Sequence, residues 1–421
     1  MEIPRDKMYL KFRLYGFLKN LRFFDPFIVL FFLDAGLSFF LIGMLYAVRE
    51  VLINVFEIPT GFVADALGRR KAMLLCFISY LASFAIFFLA AGFWPFALAM
   101  VFFALGETFR SGTHKAMILD YLKMKGLEHL KVEYYGRTRS ASQLGSAVGA
   151  LIAIALVFHT GDYRIVFLAT MVPYLMELLL MASYPAYLDG DLARDRRVRH
   201  TGFRESFGVT WRSFVGILKD RLAVRAILNS SVFDGSFKAS KGYLQPILEA
   251  QAPALPVLLY VNDQQRVAIL VGSVYCVLYL LSSLASRSAG RFASRMRNLA
   301  SGINITFVAG AVLLLASGLS TSVGWFPLAV ITFVGFYMIQ NLLRPLNVGY
   351  ISDVIPSRVM ATGLSVESQA TTLLVAVLAP IIGYMADIWG VGMALAVTGG
   401  IFLLVLPAVA VGGAPGSMGE H

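Results

Sequence analysis

Charged side chains set inside long apolar runs are the part of this sequence that could do chemistry. Glu107, Arg110 and His114 lie in one such run at spacings of three and four, which on a single helix places them on one face. Lys115 and Asp120 follow in the same run. Asp234 and Lys238 are four apart, Arg49 adjoins Glu50, and Arg344 precedes Pro345 with Gln340 and Asn341 nearby. Asp25 stands before Pro26, while Glu177 and Glu367 are lone acids. A charge at bilayer depth costs roughly 3 kcal/mol on insertion scales, so such residues mark ion or solute pathways. The acids could carry a proton or be bonded to a neighbouring hydroxyl or base. Arg49, Arg110, Lys238 and Arg344 could hold an anion. The Glu107–Arg110 pair also has a structural alternative, a charge pair joining its helix to neighbours. Lys19 and Arg22 are long enough to snorkel to the membrane surface.

These residues need helices to carry them. The 421-residue chain is 58% hydrophobic and only 14% charged, with a mean hydropathy of +0.73. A soluble domain carries about a quarter charged residues. Apolar spans of roughly 20 residues cross a bilayer as helices, and the pattern predicts about twelve: 14–35, 39–56, 72–91, 96–122, 141–158, 164–183, 223–248, 267–285, 299–319, 326–350, 361–386 and 391–411. Ala141, Gly145, Gly149 and Ala153 form a small-residue stripe that lets another helix approach closely. The polar stretch 184–221 divides the pattern. Within it Phe203, Phe207, Trp211, Phe214 and Leu218 recur at helical spacing, an amphipathic segment suited to the membrane surface.

The net charge of +11 does not point to nucleic acid, because the basic residues recur in short clusters between apolar runs. That distribution is the positive-inside pattern, and it predicts both termini in the cytoplasm. Cys76 and Cys276 are far apart and imply neither a disulfide framework nor a metal site. No phosphate loop of the Gly-Lys-Ser/Thr type and no His-x-x-x-His cluster is present, which argues against ATP drive and zinc hydrolysis. The sequence thus predicts neither an enzyme nor a cofactor.

The run Gly61-Phe-Val-Ala-Asp65-Ala-Leu-Gly68-Arg69-Arg70-Lys71 sits between two apolar spans. Its glycines are expected to permit a sharp turn, and its cations orient the adjoining helices. The pattern resembles the loop between helices 2 and 3 of the major facilitator superfamily, on Gly61, Asp65, Gly68, Arg69 and Arg70. The turn Gly290 to Arg297 looks like a degenerate second copy, with Ser294 where the acid would stand. Arg110-Ser111-Gly112 loosely resembles the arginine motif on helix 4 of proton-driven members, whereas the helix-5 glycine–proline signature of antiporters lacks its proline here.

The resemblance implies an all-α membrane protein with two pseudo-symmetric six-helix bundles, residues 1–184 and 222–421, joined by a cytoplasmic linker, 185–221. It implies a monomeric secondary transporter in the cytoplasmic membrane that moves a small molecule by alternating access, with protons as the coupling ion. Asp65 would be an interdomain latch meeting the start of helix 11 near Ala361-Thr362. The mixed charges favour an organic anion or zwitterion. The 33 phenylalanines leave lipophilic drug efflux open, and a transporter-shaped receptor or assembly factor is the third possibility.

Overall fold

The computed structural model describes residues 6–127, 130–189, 216–217, 219–254, 261–296, 298–355 and 360–412, with the side chains of residues 62, 65, 66, 131–133, 135–137, 139, 254, 287 and 361 outside that description. Helices carry the fold: α1 (Lys7–Leu18), α2 (Ile28–Asp34), α3 (Phe39–Leu67), α4 (Arg69–Leu89), α5 (Phe93–Arg110), α6 (Thr113–Met124), α7 (Lys131–Thr160), α8 (Ile165–Ala182), α9 (Arg221–Ser240), α10 (Leu244–Gln251), α11 (Asp263–Ala293), α12 (Leu299–Ser322), α13 (Phe326–Val354) and α14 (Met360–Val409). Among the described residues, 8 helices are long and apolar enough to cross a membrane.

The described residues fall into two compact units. One lies within Met1–Gly36, Val48–Thr201 and Leu255–Tyr279, the other within Leu37–Ala47, Gly202–Ala254 and Leu280–His421. Each unit thus includes a short segment from the far half of the sequence, by way of α3 and α11.

Several predicted spans are not continuous helices. Span 14–35 is broken between Leu18 and Ile28. Pro26 lacks an amide hydrogen and disfavours helix at Asp25. The exposed backbone is then satisfied by side chains. Asn20 Nδ2 donates to the Gly16 carbonyl at 2.8 Å, Tyr174 OH donates to the Lys19 carbonyl at 3.3 Å, and the Phe23 amide donates to Thr170 Oγ1 at 3.2 Å. Such replacement is what lets non-helical backbone persist at membrane depth. Span 96–122 breaks at Ser111-Gly112, where Gly112 adopts φ 75°. Span 223–248 is interrupted by a tight 3-10 turn over Lys241–Tyr243.

Other boundaries also move. α3 continues through Pro59 to Leu67, so the sharp bend belongs to Gly68 alone, at φ 97°. A Cβ on Gly61 would meet nothing within 4 Å among the described residues, so Gly61 makes no close approach. α11 runs on to Ala293, which makes Gly290 and Arg291 helical rather than part of a turn. α14 merges the last two spans across Gly390, at φ 81° and ψ 161°. Phe203, Phe207, Trp211, Phe214 and Leu218 of the amphipathic segment lie outside the described residues.

The small-residue stripe packs as expected. A Cβ on Gly145 would collide with the Phe17 carbonyl oxygen, and one on Gly149 would lie 3.4 Å from the Asn20 carbonyl oxygen. The stripe therefore seats α7 on α1 and its unwound end. Phe24, Phe31, Phe84, Phe87, Phe96 and Phe167 form the buried aromatic heart of the first unit, with Phe24 and Phe167 stacked at 5.5 Å and Phe31 edge-on to Phe167 at 4.7 Å. Within a bilayer such dispersion contacts hold helices together in place of the hydrophobic effect.

Gly145→Leu is expected to destabilise the protein by about 1–3 kcal/mol through overpacking, whereas Gly61→Ala leaves stability unchanged or slightly raised. Thermal unfolding in detergent checks both.

Candidate functional site

In the first unit the charged residues converge on the break after α1. Arg22 Nη2 donates to Glu107 Oε1 at 2.9 Å, and its Nε donates to the Tyr174 hydroxyl at 3.0 Å. The second carboxylate oxygen of Glu107 accepts from Arg110 Nη2, and Arg110 Nε donates to Tyr80 OH at 3.2 Å. Glu107 thus lies between two guanidiniums, with side chains about one-fifth exposed: 21% for Arg22, 24% for Arg110 and 19% for Glu107. The expected Glu107–Arg110 pair is present. Arg22 does not snorkel but completes the array, and its guanidinium lies 5.9 Å from the Phe103 ring centroid. Two cations and one carboxylate leave the array with an excess positive charge.

His114 does not share a helix face with this pair. The Gly112 break places it on α6, where it is buried, stacks on Tyr15 at 3.5 Å and lies 3.4 Å from Tyr184 OH. Glu177 on α8 is fully buried, and neither carboxylate oxygen closes a hydrogen bond. The favourable influences on it are the backbone amide and the ammonium of Lys19. Lys19 itself lies in the unwound stretch, 5.5 Å from the Tyr15 ring centroid. Asp25, also in that stretch, is within electrostatic reach of Arg22 and of Tyr279. Arg49 is not brought to the array; its Nε donates to adjacent Glu50 at 3.0 Å.

The basic turn is tied down by Asp120, from the charged run, and by Asp189 and Tyr184, which the sequence did not single out. Arg69 pairs with Asp120 of α6. Gly68 precedes α4 with no side chain to cap it, and Asp189 supplies the cap: its Oδ1 accepts from the Arg70 amide at 2.9 Å. Arg70 Nη1 donates to the Tyr184 carbonyl at 3.2 Å. The Asp65 side chain lies outside the described residues.

The second unit holds its own acid–base cluster. Lys238 and Asp234 pair at 2.8 Å, and Gln340 Nε2 also donates to Asp234. Glu367 Oε1 accepts from Ser230 Oγ at 2.7 Å, and Asp234, Lys238 and Arg344 all lie within its electrostatic reach. Arg344 itself is exposed. No group of three or more His, Cys, Asp or Glu able to hold a metal occurs among the described residues.

Residues 20–373 match the sequence model of the Major Facilitator Superfamily. The chain belongs to this family. It is accordingly a multi-pass membrane transporter and not an enzyme. Solved structures share its fold. A mutant of the nucleoside transporter NupG superposes with a TM-score of 0.77 at 12% identity, over 96% of this chain and 99% of that one. A mutant of the peptide transporter POT gives 0.67 at 14% identity, over 96% and 95%. A POT family transporter in complex with 5-aminolevulinic acid gives 0.67 at 14%, over 95% of both chains. A sequence search of curated proteins gives no match.

Glu107→Ala is expected to destabilise the transporter by about 2 kcal/mol or more, because it leaves two guanidiniums facing each other without their counter-charge. Arg110→Ala, which leaves the Arg22–Glu107 pair intact, costs less. Denaturation of the single and double variants in detergent measures the difference.

Proposed function

We propose that this transporter is proton-coupled and moves a small polar solute, an organic anion or zwitterion, by alternating access between two six-helix bundles. The observation that carries this proposal is the half-buried Arg22–Glu107–Arg110 array with the fully buried carboxyl of Glu177, whose oxygens close no hydrogen bond, in the same unit. A positively biased array flanked by tyrosine hydroxyls suits a carboxylate or phosphate on the solute. The Asp234–Lys238–Glu367 cluster supplies acids and a base for the opposite charge. Both clusters adjoin interrupted helices, where transporters of several folds place their substrates.

Twelve crossings are consistent with the helices. Eight are long and apolar enough by themselves, and one of these, Thr362–Val409, is 48 residues long with a kink at Gly390 and serves as two. The interrupted pairs α1–α2, α5–α6 and α9–α10 supply the remaining three. The bundles are assigned to residues 1–184 and 222–421, linked by 185–221, with both termini in the cytoplasm and the protein monomeric in the cytoplasmic membrane.

Lipophilic drug efflux loses its main support, since many of the phenylalanines bury one another within the first unit. Among the structures that share the fold are a nucleoside transporter and a peptide transporter, and the 5-aminolevulinic acid bound by a third is a zwitterion. That supports a polar solute here.

In this proposal Glu177 carries the proton and Asp65 latches one state. Uptake into proteoliposomes of a solute found by screening is expected to respond to an imposed proton gradient. Glu177→Gln should lower gradient-driven uptake about tenfold or more while sparing solute exchange. Equal losses of both activities would remove Glu177 from proton coupling. Asp65→Asn should slow transport about two- to fivefold, as expected from loss of a charge at a helix end; transport at the normal rate would contradict the latch.

A further inference from the structure

The glycine–acid pattern occurs twice. Gly383-Tyr-Met-Ala-Asp387-Ile-Trp-Gly390 repeats Gly61-Phe-Val-Ala-Asp65-Ala-Leu-Gly68 with both glycines, the alanine and the acid in register. The backbones agree as well: Gly68 adopts φ 97° and ψ 145°, and Gly390 φ 81° and ψ 161°. Each glycine takes a conformation that other residues rarely adopt, and each is a hinge from which a new helical run starts.

At the second copy the acid has defined partners. Asp387 Oδ1 accepts from the Phe39 amide at 2.8 Å, and Oδ2 accepts from the Phe40 amide at 2.9 Å. These are the first amides of α3, which have no intrahelical acceptor and form the positive end of its dipole. Both bonds are charge-assisted. The backbones beneath them are nearly in contact. A Cβ on Gly383 would lie 2.7 Å from the Phe39 carbonyl carbon, and one on Gly43 would lie 2.7 Å from Pro380 Cα. Phe40 and Tyr384 meet edge-on at 6.2 Å.

Among the described residues, the corresponding approach of α7 and α11 in the other unit is joined through an amide side chain. Gln265 Nε2 donates to the Phe158 carbonyl at 3.2 Å, a neutral bond, and Asp162 instead accepts from the Arg164 amide at 2.8 Å. Among the described residues, the contact with a carboxylate on helix-end amides is the one between α3 and α14. α3 is 29 residues long, about 43 Å at 1.5 Å per residue, so its start lies at the opposite membrane face from the Arg69–Lys71 turn.

We infer that Asp387 is a clasp that holds this opposite face closed, and that opening the face requires the carboxylate to leave the α3 amides. Asp387 is a positioning residue: it touches no solute and sets the population of one state. The inference rests on alternating access.

The test reads conformation and needs no solute. Phe40→Cys and Tyr384→Cys are introduced into a chain carrying Cys76→Ala and Cys276→Ala, and oxidative cross-linking is measured in membrane vesicles. Asp387→Asn is expected to lower the cross-linked fraction about fivefold, and Asp387→Glu to restore most of it. If Asp387→Asn does not accumulate in the membrane, Asp387→Ser is judged by the same criterion. Cross-linking equal to that of the parent chain would overturn the clasp. Vesicles that cross-link as expected but move no solute would count against the transport proposal alone.

Discussion

In hydrocarbon a polar group left without a partner costs several kcal/mol, and this constraint shapes the break in the first unit. The helix that begins the chain comes apart for nine residues, Lys19 to Phe27. Backbone groups released there are taken up by Asn20, Thr170 and Tyr174. The same break brings Arg22 to Glu107, and Glu107 in turn holds Arg110. Remove the break, and Arg22 has no counter-charge at that depth. Remove Glu107, and two cations face each other. The site and the fold are thus one set of interactions, and the break cannot be treated as a local defect.

The helix interruptions are the means by which a stable bundle carries charged groups. A continuous helix satisfies its own backbone and offers only side chains. A broken one offers carbonyls, amides and an altered direction for the residues that follow. Gly112 does this for α5 and α6, re-aiming His114 into an aromatic pocket with Tyr15 and Tyr184. The 3-10 turn at Lys241–Tyr243 interrupts the second unit in the same way, after the Asp234–Lys238 pair. In the first unit, stacked phenylalanines and glycine-seated helices supply close packing.

Much of this is legible in the sequence where the information is local. The Gly61–Lys71 pattern is enough to suggest the family, and the Ala141–Ala153 stripe is enough to predict a close helix contact. Glu107–Arg110 and Asp234–Lys238 are readable because helical spacing puts each pair together. What is not legible depends on distance along the chain. Arg22 finds Glu107 85 positions away and Tyr174 152 away, so neither local spacing nor composition distinguishes it from a snorkelling arginine. The Gly112 break is hidden because a single glycine in a helical run is usually tolerated. Asp189 and Asp387 act on helix ends elsewhere in the chain, and nothing in their immediate neighbours reveals those partners. Gly61 is the converse case, since a glycine two turns before a bend reads as part of the bend while its helix runs straight through.

In the proposed function the Arg22–Glu107–Arg110 array receives a charged polar solute. Thermal unfolding of the purified protein against a panel of dipeptides, amino acids, nucleosides and lipophilic cations tests it most directly, since a ligand of the folded state raises the melting temperature. A carboxylate- or phosphate-bearing solute is expected to stabilise the protein, and the stabilisation to be lost in Arg22→Lys, where the planar two-bond contact cannot form. Stabilisation by lipophilic cations alone, undiminished in Arg22→Lys, would contradict it.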